Sequence, residues 1–180
     1  ALSSAASDVY KRQHKERLTP GDGYYSIYPS ADLSYYICEG GDSSAPGRTD
    51  VFNAAGKRVR TLYDNAPLKE ALVEAGLPVR EFFTFTTERG DELNGYMLKP
   101  LDFDPAKRYP VLLTQYSGPG SQQVAEGWGP DWEDALVTHG YIVVCVDPRG
   151  TGYRGEEFKK LTYGNLGRLE VEDCLLYTSD

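Results

Sequence analysis

The sequence predicts an α/β domain preceded by a small antiparallel β-unit, and three observations carry that prediction. Two apolar runs, residues 111–116 (VLLTQY) and 141–147 (YIVVCVD), are short, continuous and rich in β-branched residues, as strands buried on both faces of a parallel sheet should be. Between them lies a tryptophan-bearing amphipathic stretch, which makes the segment a β-α-β unit. Each run ends in a glycine-rich turn, Ser117-Gly118-Pro119-Gly120 and Pro148-Arg149-Gly150-Thr151-Gly152. Ligands of such sheets lie beyond the carboxyl ends of the strands, so these turns are where chemistry is expected.

Upstream, residues 24–30, 33–39, 49–54 and 58–63 read as short strands separated by turn signals at 30–32, 40–47 and 55–57. Tyrosine supplies much of their apolar surface, which suits strands partly wet on one face. One such sheet buries too little to stand alone, so the unit reads as one blade of a repeat array or propeller. The pattern then becomes helical over 65–76, with Leu68, Ala71, Leu72 and Ala75 at three- and four-residue spacing. Asn65 is the expected N-cap, Pro67 falls in the first turn and Gly76-Leu77-Pro78 ends the helix. A domain boundary is expected there.

Residues 81–87 and 93–99 predict a hairpin turning at Glu88-Arg89-Gly90-Asp91, followed by a polar connector over 100–109. An antiparallel pair leading into parallel strands makes the sheet mixed. The crossover helix is expected over 130–139, with Trp132, Ala135 and Leu136 on its apolar face and Gly140 closing it. A short helix over 156–161 carries Phe158 and Leu161, and another begins at 169–173.

The formal charge of −8, from 27 acidic and 19 basic residues, gives no electrostatic footprint for nucleic acid or an anionic membrane surface. No apolar run reaches the roughly 18 residues that span a bilayer. Of the three cysteines, Cys38 and Cys145 lie in separate strand-like runs and read as small buried apolar side chains, not as a disulfide framework. The ends read differently from the middle. One DNA string, taken in opposite directions and shifted frames, encodes both Ser3 to Gln13 and Cys174 to Asp180, and it resembles the adapter of a transposase-based sequencing library. Residues 1–13 and 174–180 are therefore expected to be adapter-derived and are set aside.

Gly150-Thr-Gly152-Tyr-Arg-Gly155 fits G-x-G-x-x-G after a strand and invites a dinucleotide-binding reading. That fingerprint belongs to the first strand of its sheet and wants an acid closing a second strand about 20 residues on. Here a hairpin and a strand precede it, and residues 168–173 are a charged helical stretch. A tight turn that needs glycine is the better reading, and no cofactor is expected. Tyr116, ending a strand beside a glycine loop, could aim its hydroxyl at a developing negative charge, though half-buried core tyrosines are commoner. His139 is explained by the helix C-terminus and His14 abuts the adapter-like segment. Glu126, Asp131, Glu133 and Asp134 read as a solvated face and helix N-terminal charge. No G-x-S-x-G elbow, His-Glu-x-x-His or paired-cysteine metal motif occurs, so the residues alone yield no complete active site.

Taken in order, residues 109–122 (YPVLLTQYSGPGSQ), 131–155 (DWEDALVTHGYIVVCVDPRGTGYRG) and 165–173 (NLGRLEVED) resemble the front half of the catalytic domain of prolyl oligopeptidase family serine peptidases. The closest likeness is to the dipeptidyl peptidase IV branch, and residues 25–65 resemble that branch's last propeller blade and its exit. The resemblance implies a partial α/β-hydrolase domain preceded by an antiparallel blade, the last of an eight-bladed β-propeller. It divides the chain into a terminal blade over 14–65, a linker helix over 66–79 and the N-terminal part of the hydrolase over 80–173.

It also implies release of N-terminal dipeptides with penultimate proline or alanine, by acyl-enzyme chemistry on peptide substrates and without a cofactor. Tyr116 falls on the family's oxyanion-hole tyrosine, while Asp147 and Arg149 match positions that shape the turn. The nucleophilic serine, the aspartate and the histidine of the triad belong further along, and the family's propeller glutamates upstream of His14. The chain alone is therefore expected to be inactive and to fold poorly, with unpaired strand edges. For the parent protein the resemblance points to a homodimer and a periplasmic or extracellular location. The alternatives are a propeller-hydrolase scaffold that has lost its serine, a related acyl-peptide hydrolase or oligopeptidase and, less favoured, the nucleotide-binding enzyme.

Overall fold

The structure is a computed structural model that describes residues 17–19 and 21–176; the adapter-like N-terminal segment, His14 and residues 177–180 lie outside the described residues. The chain divides into two compact units. One comprises the residues up to Ala75 together with Glu126–Gly129, the other Gly76–Ala125 and the residues from Pro130 onward.

In the first unit, β1 (Tyr24–Pro29), β2 (Tyr35–Gly41), β3 (Arg48–Asn53) and β4 (Arg58–Tyr63) form an antiparallel meander in chain order. Strand β2 alternates cleanly, with Tyr36 and Cys38 buried and Tyr35, Ile37 and Glu39 exposed. Tyr36 faces Phe52 across the ladder, and the two rings stack at 5.2 Å and 6°, a pair worth about 0.5–1.5 kcal/mol beyond its buried area. Leu18, Tyr25 and Ile27 pack around this core. Buried Asp50 accepts hydrogen bonds from Thr61 Oγ1 (2.6 Å) and an Arg48 guanidinium nitrogen (3.2 Å). Those contacts offset the cost of burying its charge.

Strand β2 starts two residues later than the pattern suggested, because Asp32 organises a turn. Its carboxylate accepts from Ser30 Oγ (2.7 Å), Ser34 Oγ (2.7 Å) and the Ser34 amide (3.2 Å), and Leu33 takes a positive φ of 59°. The strand also runs two residues further, since Gly40 and Gly41 pair with Tyr25 and Tyr24. At Gly40, with φ of 141°, a Cβ would lie 2.1 Å from the Tyr24 carbonyl oxygen. Helix α1 (Ala66–Ala75) buries none of its residues. Asn65 stands at the N-cap position, its carbonyl accepting the Lys69 amide (2.9 Å), but its side chain does not cap: with φ of 56° it turns its amide to the Gly47 carbonyl (2.7 Å), while Asp64 Oδ1 accepts from the Ala66 amide (3.1 Å).

The second unit holds a mixed sheet in the order β5-β6-β8-β7. Strands β5 (Glu81–Thr86) and β6 (Glu92–Leu98) form the predicted hairpin. Strand β7 (Val111–Thr114), helix α2 (Trp132–Thr138) and strand β8 (Ile142–Asp147) form the predicted β-α-β unit, with β7 and β8 parallel and β6 antiparallel to β8. Only β8 is buried as expected: Val143, Cys145 and Val146 are fully enclosed, whereas β7 lies at the sheet edge and leaves Val111 62% exposed. Tyr96, Leu98, Val124, Val137, Val143 and Cys145 make the core.

Helix α2 begins where Asp131 and Asp134 form a capping box, with Asp131 Oδ1 2.9 Å from the Glu133 amide and Asp134 Oδ2 2.8 Å from the Asp131 amide. Its inward face is Glu133 and Val137, with Leu136 packed against the core as expected, whereas Trp132 and Ala135 are exposed. Beyond β8 come α3 (Glu156–Lys159), a 3-10 turn over Lys160–Thr162 and α4 (Arg168–Leu176). The last helix runs three residues past Asp173.

Two outcomes follow for the first unit. The hydroxyls of Ser30 and Ser34 hold the Asp32 carboxyl down at about 2, from an ordinary 3.8. A depressed carboxyl contributes stability above its unfolded pKa and loses it as the pH falls from there through about 2; an NMR titration should place the Asp32 midpoint near that value, and Asp32→Asn should remove its share of the acid-dependent loss, leaving that of Asp42, which the Ser44 hydroxyl and amide also hold down. Gly40→Ala should lower the unfolding free energy by more than about 1 kcal/mol, read by denaturant titration.

Candidate active site

The two glycine turns stand side by side at the carboxyl ends of β7 and β8, where an open α/β sheet leaves a crevice. Past Thr114 the chain leaves the ladder, and Ser117 turns it sharply with φ of 59°. The amide and hydroxyl of Ser121 both donate to the Gly118 carbonyl, at 3.2 and 2.6 Å, which closes the loop on itself. The Tyr116 amide donates to Gln123 Oε1. The Tyr116 side chain is 76% exposed, so its phenol projects from the loop and is free to donate a hydrogen bond.

Asp147, the last residue of β8, reaches across to this loop. Its two carboxylate oxygens accept the amides of Gln123 (2.9 Å) and Val124 (3.0 Å). Burial pushes its carboxyl above the ordinary value, against the downward pull of those two amides and of the Arg154 charge. The Gly152 amide donates to the Ser121 carbonyl at 2.7 Å, which ties the second turn to the first.

Arg149 is buried in the second turn and faces carboxylates from two directions. Asp173 on α4 takes the Arg149 amide at 2.7 Å, Nε at 2.9 Å and a terminal guanidinium nitrogen at 2.7 Å. Glu172 (3.3 Å) and Asp91 (3.5 Å) lie on the outer nitrogens. Burial works against the arginine's charge, but the Asp173 hydrogen bonds and the three carboxylates outweigh it and raise its pKa. Asp173 is itself fully buried, so α4 is pinned to the end of β8 by charges that need one another.

These contacts decide between the readings of the glycine motif. The amides of Arg149, Thr151 and Gly152 are spent on Asp173, the Pro148 carbonyl and the Ser121 carbonyl. Thr162 packs over Gly150, where a Cβ would lie 2.5 Å from its Oγ1. Two amides of the motif, those of Thr151 and Gly152, are thus used within the protein, and its first half works as a scaffolding turn. His139 caps α2, its Nδ1 2.7 Å from the Ala135 carbonyl oxygen. Among the described residues no cluster of three or more His, Cys, Asp or Glu side chains could hold a metal ion, and no helix is long and apolar enough to cross a membrane.

Glu133 departs from the solvated face expected of it. It is buried, accepting from the Tyr96 hydroxyl at 2.6 Å and from Thr114 Oγ1 at 3.2 Å. Burial and this bond raise the Tyr96 phenol far above its ordinary value, and the Arg80 guanidinium lies over the Tyr96 ring at 4.9 Å. Glu133 thereby links α2 to β6 and to the end of β7, two residues before Tyr116. The available sequence signal was its i, i+4 spacing with Val137. Gln123 and Asp173 carried no such signal, because their partners are distant in sequence.

Comparison with known proteins adds three findings. Residues 128–179 match the model of the prolyl oligopeptidase family. The chain is 38% identical over 156 residues to a protein of Emericella nidulans named "Probable dipeptidyl peptidase 4", and 35% identical over 155 residues to dipeptidyl peptidase 4 of Trichophyton tonsurans. Those matches cover 84% and 83% of this chain and 20% of each relative, so the chain spans about a fifth of their length. The crystal structure of Porphyromonas gingivalis dipeptidyl peptidase 4 superimposes with a TM-score of 0.82 at 42% identity, over 90% of this chain and 23% of that one.

The Arg149–Asp173 pair gives a stability test. Arg149→Met strands Asp173 in the interior and should cost about 3–5 kcal/mol. The double change Arg149→Met with Asp173→Leu should cost less than the two single changes added, as read by denaturant unfolding.

Proposed function

This chain belongs to the prolyl oligopeptidase family, in its dipeptidyl peptidase 4 branch, and we propose that the protein containing it is a serine exopeptidase. It releases N-terminal dipeptides from peptides, favouring proline or alanine at the penultimate position. On this reading residues 14–65 are a terminal propeller blade, 66–79 a linker helix and 80–173 the front of the hydrolase domain. The parent works as a homodimer, and the chain by itself holds only part of the active centre.

The observation that carries the proposal is the exposed Tyr116 hydroxyl on a braced glycine loop at the carboxyl end of β7. When a serine attacks the peptide carbonyl, charge develops on the carbonyl oxygen. A donor already aimed at that position stabilises the tetrahedral species without reorganising at the moment of reaction. Tyr116 is such a donor, working with a backbone N–H. The serine and the base that accepts its proton come from the protein beyond this chain, in the order serine, aspartate, histidine.

Two measurements test this. Coding DNA that continues past the codon for Asp173 should encode a G-x-S-x-G turn, and the full-length protein should cleave a Gly-Pro chromogenic anilide; another residue in place of that serine would make the protein a binding scaffold. In the active protein, Tyr116→Phe should lower kcat about 10²–10³-fold, the usual cost of one oxyanion donor, with KM little changed.

A further inference from the structure

We propose that Gln123 is a positioning residue for Tyr116, acting as the link in a relay from Asp147 at the end of β8 to the Tyr116 amide. The inference rests on the reading of Tyr116 as an oxyanion donor. Tyr116 lies two residues beyond the last paired residue of β7, so no strand ladder holds its amide. The side-chain carbonyl of Gln123 takes that amide instead. With the phenol 76% exposed, little packing fixes its direction. The backbone tether therefore sets where the side chain leaves the main chain, and so the reach of its hydroxyl.

Gln123 can serve as a tether only because its own backbone is held. Its amide and that of Val124 go to the two oxygens of Asp147. Asp147 is buried at the end of the strand flanked on both sides by partners, β6 and β7. Val124 is part of the core, against Val137 and Val143. The position of the sheet is thus passed through Asp147 to Gln123 and from there to Tyr116. The chemistry asks for a hydrogen-bond acceptor at residue 123 and has no use for a donor. Because Gln123 is exposed, it can be replaced without opening the core.

The test uses the full-length protein with a Gly-Pro chromogenic anilide. Gln123→Met keeps the length of the side chain and removes the acceptor, whereas Gln123→Glu keeps an acceptor. Gln123→Met should lower kcat about 10-fold or more, within the 10²-fold that an ångström of misplacement can cost, with KM and the unfolding midpoint nearly unchanged. Gln123→Glu should recover most of the rate, and adding Gln123→Met to Tyr116→Phe should slow the enzyme little further. The inference is overturned if Gln123→Met matches the wild type, if Gln123→Glu is as slow as Gln123→Met, or if the loss appears undiminished in the Tyr116→Phe background. A Tyr116→Phe enzyme as fast as the wild type would instead sink the oxyanion reading itself, and this inference with it.

Discussion

Two charged side chains buried at the end of β8 hold the strand-end architecture of the second unit together. Asp147 and Arg149 stand two residues apart, both almost excluded from solvent, and a charge in that setting must find partners or lose its ionisation. Asp147 meets the requirement by drawing in the amides of Gln123 and Val124, which brings the loop after β7 against the strand end. Arg149 meets it by drawing in Asp173, which brings α4 there as well. The demand for compensation thus converts two adjacent strand ends and a distant helix into one braced surface, and Tyr116 stands on it.

The same logic explains why the glycines of the second turn serve geometry and not a nucleotide. A glycine-rich loop binds phosphate when its amides are unspent. Here the amides of Arg149, Thr151 and Gly152 are committed to Asp173, Pro148 and Ser121, and the space above Gly150 is filled by Thr162. The second turn is structural, and the first carries the exposed phenol.

Glu133 shows how a polar residue can take a core position. A helix whose capping box begins at Asp131 turns Glu133 and Val137 to the same side. The Tyr96 and Thr114 hydroxyls waiting there make burial of the carboxylate tolerable. Trp132, the largest apolar residue of the helix, is left outside. Hydrophobicity read along the helix would have put Trp132 and Ala135 inside beside Leu136 and left Glu133 out.

The sequence by itself determined the order and kind of the elements. Strand β4 and the β5–β6 hairpin were legible because alternation, β-branched runs and turn residues act over a few neighbours, and the β-α-β unit because its glycine turns and apolar runs recur at short range. The resemblance of residues 109–122, 131–155 and 165–173 to the prolyl oligopeptidase family was legible on the same local basis. Tertiary structure alone decided the exposure of Val111, which follows from the edge position of β7, and the inward turn of Glu133. It alone brought Gln123 to Asp147 and Arg149 to Asp173, each pair 24 residues apart. Those pairings depend on which charges are excluded from water, and exclusion from water is a property of the packed sheet that no stretch of chain carries alone.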